Sequence, residues 1–90
     1  MKFNNEKALN QLLSKKIVAT MRNYHYTVGT TVTINGQYKA EVLAVFKNIK
    51  TFRKSLLKYS GFESVEEWEK TAIELHRNMP KYIVLLRLIK

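Results

Sequence analysis

The stretch SKKIVATMRN, residues 14–23, brings two lysines, a hydroxyl and a guanidinium close together in the chain. If the segment after Lys16 is a strand, residues two apart share a face, so Val18, Thr20 and Arg22 line one side. That side then runs from apolar to hydroxyl to guanidinium towards one end of the strand. Hydroxyl and guanidinium together suit a base or a sugar, and Lys15 and Lys16 would add charge for phosphates beside them. The lysines also have a plain structural role, since cations in the last turn of a helix meet the negative end of its dipole. Directly after Arg22, RNYHY (22–26) interleaves the guanidinium with Tyr24, His25 and Tyr26. Cations spaced for phosphates and flat rings for stacking are what single-stranded nucleic acid requires, although a tyrosine or two could equally plug one end of the fold. A third group is Lys47, Lys50, Arg53, Lys54 and Lys58, in a stretch from 47 to 58 that holds no acid. Solvated helix faces are commonly charged, but five cations without a partner repel one another.

The elements that must position these groups follow from periodicity and punctuation. Asn4 or Asn5 caps a first helix over about 5–15, with Leu9, Leu12 and Leu13 on its apolar face. From Ile17 the residues turn β-branched and predict a strand to Arg22. NYHYTVGTT is then a loop broken at Gly29, and TVTI, Asn35-Gly36 and QYKAEVLAVF predict a hairpin with a two-residue turn. In its returning strand Tyr38, Ala40, Val42, Ala44 and Phe46 share one face, yet Leu43 and Val45 make the other face apolar too. A strand greasy on both sides needs cover on both. Helical period resumes over 47–59, with Ile49, Phe52, Leu56 and Tyr59 on one face and the lysines stacked on another. Ser60-Gly61 stops that helix and Ser64-Val-Glu-Glu67 opens the next as a capping box, with Val65, Trp68, Ala72 and Leu75 inward. Pro80 ends it, and KYIVLLRLI closes the chain as a buried strand. No repeat, linker or low-complexity segment interrupts this order. Separated strands that must shield their edges predict an α+β fold: a small mixed β-barrel with a leading helix and two helices before the last strand.

Ninety residues make a single domain, 1–90. The net charge is +9 with pI near 9.9. All of the excess lies in residues 1–62, which hold eleven Lys/Arg against two Glu, while residues 63–90 hold five of each sign. Such a balance points to a polyanionic partner, nucleic acid before an acidic membrane. The longest apolar run, YIVLL, is far below the roughly 20 residues of a membrane span, and the N-terminus has no signal-peptide pattern, so no membrane association and a cytoplasmic location are expected. With no Cys, no Asp and only His25 and His76, no metal site is expected and no cofactor is implied. Five of the seven Glu fall in residues 63–74, which makes paired carboxylates for two-metal chemistry improbable.

LLSKKIVATMR after a leading helix, YTVGTTVTI, GFESVEEW and the closing YIVLLRL, in this order, resemble the ASCH domain family, a PUA-like group of small barrels. The resemblance covers nearly the whole chain. It implies a barrel with a basic cleft beside the leading helix and RNA-linked work. Some small relatives are amidohydrolases acting on an acetylated cytidine (N4-acetylcytidine) through a Lys, a Thr and a Glu, and nuclease activity is also associated with the family. Carried over by position, Thr20 and Arg22 match the signature. The family lysine falls on Ile17, with Lys16 one residue away; Lys15 replaces a glycine, Thr30 an aspartate, and Ser60 stands at or near the acid before the GF pair.

Three functions are therefore weighed. The favoured one is a non-catalytic module binding RNA or single-stranded nucleic acid, with Thr20, Arg22 and the tyrosines holding a base or sugar while lysines contact phosphates. The second is an RNA-directed hydrolase, a ribonuclease or an amidohydrolase, using Lys16 and Thr20 with Glu41 as a replacement acid. The third is an adaptor whose basic helix binds an acidic protein.

Overall fold

The structure is a computed structural model that describes residues 1–89. Its elements are α1 (Glu6–Lys15), β1 (Ile17–Arg22), β2 (Thr31–Ile34), β3 (Tyr38–Lys47), α2 (Lys50–Leu56) continued by a 3₁₀ turn (Leu57–Tyr59), α3 (Val65–His76) and β4 (Tyr82–Leu88). The strands form one sheet in the order β1-β4-β3-β2, every neighbour antiparallel. The fold is α+β, as expected, but the sheet is neither mixed nor closed into a barrel.

The last strand in sequence lies inside the sheet, and its composition shows why. Val84 and Leu86 face α1 and join Leu12, Val18, Ala40 and Val42 in one buried cluster. Ile83 faces the other way, against Ala19, Met21, Leu56, Trp68 and Ala72. A strand apolar on both faces is stable only with a layer on each, which α1 supplies on one side and α2 with α3 on the other. The same two layers give β3 the double cover expected of it, with Val42 and Val45 in the first cluster and Phe46 in the second. Face assignment along β3 differs from strict alternation, because the register against β4 slips between Val42 and Ala44. The extra residue at this bulge exchanges the two faces, so Val45 packs with the Val42 cluster and Phe46 with the Trp68 cluster.

Neither edge strand pairs with the other; each is shielded by chain outside the sheet. At the β2 edge the N-terminal segment docks through Met1, whose amine donates to the Thr33 carbonyl at 2.7 Å and whose carbonyl accepts from the Asn35 N–H at 3.0 Å. Asn35 and Gly36 both adopt positive φ, as the hairpin signal requires, but Ile34 pairs with Tyr38, giving a three-residue loop. Around the β1 edge the two helical layers meet. Gly61, at φ +87°, lies against the Lys7 carbonyl so closely that a Cβ there would collide with it, and Lys7 pairs with Glu67 across the same junction.

The local signals place the helices. Asn5 accepts hydrogen bonds from the Lys7 and Ala8 N–H groups, and Ser64 from that of Glu67 at 3.1 Å. Glu67 closes the α3 cap on the Glu63 N–H. The helix expected from residue 47 begins at Lys50, because Lys47 still belongs to β3 and pairs with Tyr82. Val65, Trp68 and Ala72 are buried as expected, whereas Leu75 is 52% exposed.

Candidate nucleic-acid interface

Beyond the β1 edge, between the N-terminal segment and α3, lies a cavity of about 100 Å³. β1 contributes Thr20 and Arg22, α3 contributes Trp68, Thr71 and His76, and Phe3 and Phe62 add two further rings. The alternation of β1 directs Thr20 and Arg22 to the same face, and the geometry joins them: Arg22 Nε donates to Thr20 Oγ1 at 3.2 Å. Arg22 Nη1 donates to the Lys2 carbonyl at 2.9 Å, and the guanidinium carbon stands 4.8 Å from the centroid of the Phe3 ring. These two bonds occupy two of the five guanidinium N–H donors, leaving three for a ligand. The side chain is therefore already oriented before anything binds.

The cavity is positive. Among its described lining residues there are Lys2 and Arg22 but no carboxylate. Burial lowers the Arg22 pKa from its usual value, with a Coulombic contribution from Tyr26 acting in the opposite direction. His76, the last residue of α3, is also held below its ordinary pKa, first by burial and then by the Arg22 charge, while the Met21 backbone acts to raise it. At neutral pH its ring is uncharged and can both donate and accept. The site thus combines a fixed cation, a hydroxyl, a neutral imidazole and flat rings.

The other residues singled out in the sequence are distributed differently. Lys16 is the C-cap of α1 at φ 69°, and its Nζ donates to the Leu13 carbonyl at 3.0 Å; Lys15 lies exposed in the last turn. Neither lines the cavity. Glu41 pairs across the sheet with Arg87. Lys16, Thr20 and Glu41 consequently do not share one site. Tyr24 is 68% exposed and His25 is exposed, while Tyr26 packs on the core and meets Tyr24 edge to face at 4.9 Å. In the basic group, Lys47, Lys50, Lys54 and Lys58 are exposed, and Lys58 Nζ stands 5.3 Å from the Tyr59 ring.

Arg53 departs from that group. Its Nε donates to Glu69 at 2.7 Å, and its Nη1 reaches the Asn48 backbone and side-chain oxygens at 3.0 and 2.9 Å. The acid missing from residues 47–58 arrives from α3, and Arg53 ties α2 to α3 instead of facing solvent. Ser60 is buried in its turn, donating to the Leu57 carbonyl at 2.7 Å and accepting from the Phe62 N–H at 3.0 Å.

Sequence reasoning missed His76, Phe3, Phe62 and Thr71 as neighbours of Arg22. Trp68 was legible as an inward residue, but not as a wall of the site. Among the described residues no group of three His, Cys, Asp or Glu could hold a metal ion, and no helix is long and apolar enough to cross a membrane. Comparison of the chain with protein-family models, with curated proteins and with solved structures finds no match in any of the three.

Proposed function

We propose that this chain is a non-catalytic module that binds single-stranded nucleic acid, RNA foremost, and that it is an ASCH-type, PUA-like domain. The observation that carries this reading is the meeting of Thr20 and Arg22 in a carboxylate-free cavity walled by Trp68 and Phe62, on a chain of net charge +9. A cavity of about 100 Å³ is well below the roughly 300 Å³ at which whole cofactor or drug-sized sites begin, so one base or sugar is the fitting occupant. A base set among rings gains stacking, and the adjacent phosphate or ribose meets Arg22 and Thr20. In this reading the N-terminal segment takes the place of a closing strand between the two sheet edges. Hydrolysis through Lys16, Thr20 and Glu41 has no support from their separate positions.

The test is titration of labelled single-stranded and duplex RNA and DNA at several salt concentrations. Single-stranded RNA is expected to bind tightest, with log K falling linearly against log salt. A slope near zero, or equal affinity for duplex DNA, contradicts the reading.

A further inference from the structure

Arg22 belongs to the cavity and also ends a row that leads away from it. In the sheet register Arg22 lies opposite Tyr82, and Tyr82 opposite Lys47. Residues directly opposite on antiparallel strands point to the same face, and neighbouring strands lie about 4.8 Å apart, so this row crosses about 10 Å of surface. His25, from the loop after β1, meets Tyr82 with ring centroids 5.0 Å apart and planes at 90°. The two rings meet edge to face, a geometry in which a base can stack on one ring beside the other. On the same loop Tyr24 is exposed and meets Tyr26 edge to face, and Tyr26 anchors the loop in the core. The Asn48 N–H donates to the Lys81 carbonyl at 3.0 Å, which continues the β3–β4 pairing past Lys47 and holds exposed Lys47 at the far end of the row. Single exposed aromatic residues are ordinary, but a perpendicular ring pair set on a row between Arg22 and Lys47 is not.

We infer that a second nucleotide stacks on Tyr82 and His25, so that the strand leaves the cavity past Arg22 and runs towards Lys47, giving a footprint of at least two nucleotides. This rests on the nucleic-acid reading above and adds a path and a minimum length to it. Arg22 takes the phosphate between the two bases, and Lys47 the one that follows.

The experiment compares a nucleoside 5′-monophosphate with a single-stranded RNA tetranucleotide of the same base, measured at low salt for the wild type and for His25→Ala, Tyr24→Ala and Tyr82→Leu. Thermal melts establish that each variant is folded, and the two loop variants leave the sheet untouched. The ratio of tetranucleotide to mononucleotide affinity is expected to fall about tenfold in His25→Ala and in Tyr82→Leu, the size associated with loss of one stacked base. A ratio unchanged in folded His25→Ala and Tyr82→Leu, with the tetranucleotide still bound by the wild type, overturns the second position and leaves the cavity reading intact. Absence of tetranucleotide binding by the wild type overturns both.

Discussion

Asn35 connects the hairpin to the candidate site, and replacing it separates two effects that the structure superimposes. Its side-chain Oδ1 accepts from the Phe3 N–H at 2.7 Å and its Nδ2 donates to the Phe3 carbonyl at 3.2 Å, while its own backbone sits at φ 51°. Asn35→Gly removes both side-chain bonds but suits the positive φ. With each half-buried bond worth about 1 kcal/mol, the expected loss is about 1–2 kcal/mol. Asn35→Ala removes the same bonds and also places a Cβ in the left-handed region, adding about 1 kcal/mol for a total of about 2–3 kcal/mol. Both substitutions release Phe3 and Lys2, which orient Arg22, so ligand affinity at the cavity is expected to fall several-fold in each. Urea unfolding gives the stabilities and single-stranded RNA titration the affinities. Equal stability of the Gly and Ala variants, or a destabilised variant with unchanged RNA affinity, refutes the reasoning.

Arg53→Ala is expected to lose about 2–3 kcal/mol in urea unfolding, since it leaves Glu69 largely buried without its cation, while the salt slope of RNA binding in the folded variant stays at the wild-type value. Gly61→Ala combines a φ of +87° with a Cβ driven into the Lys7 carbonyl, and a loss of about 2 kcal/mol or more is expected by the same measurement. His76 has a depressed folded pKa, so as pH falls through the ordinary histidine range the unfolded chain takes up a proton that the folded chain does not. Stability should therefore decline from about pH 6.5 downward, to the extent of this group's contribution, and His76→Gln should flatten that part of the profile in unfolding measured across pH. A bound phosphate opposes the depression, so RNA affinity should rise over the same interval, an increase that the Gln variant lacks.

Much of the fold was legible because its signals are local. Asn5 and Ser64 as caps, Asn35-Gly36 as a turn and the alternation of Ile17–Arg22 each act within a few residues. The doubly apolar β4 even announced its covered position. What escaped depends on partners distant in sequence. The slip at Leu43 has no local mark, and it reverses which of Val45 and Phe46 faces α1. Lys47 fits a helical period as well as a strand, and only its pairing with Tyr82 decides between them. Barrel closure was inferred from exposed edges, but the N-terminal segment and the α1–α3 junction shield those edges instead. At the site, the Thr20–Arg22 pairing followed from strand alternation alone. His76, Trp68 and Phe62 join them only because α3 packs back across the β1 edge, and Arg53 leaves the basic surface only because Glu69 reaches it from α3.

Trp68 is the only tryptophan in the chain and forms a wall of the cavity, so the protein's one indole stands at that site. The decisive measurement is a titration of the protein with a single-stranded RNA oligonucleotide, following Trp68 fluorescence and the anisotropy of the labelled RNA in parallel. A base entering the cavity changes the indole emission with the same saturation curve as the anisotropy, and Arg22→Gln weakens both together. RNA binding that leaves Trp68 unchanged, or that is indifferent to Arg22, contradicts the account.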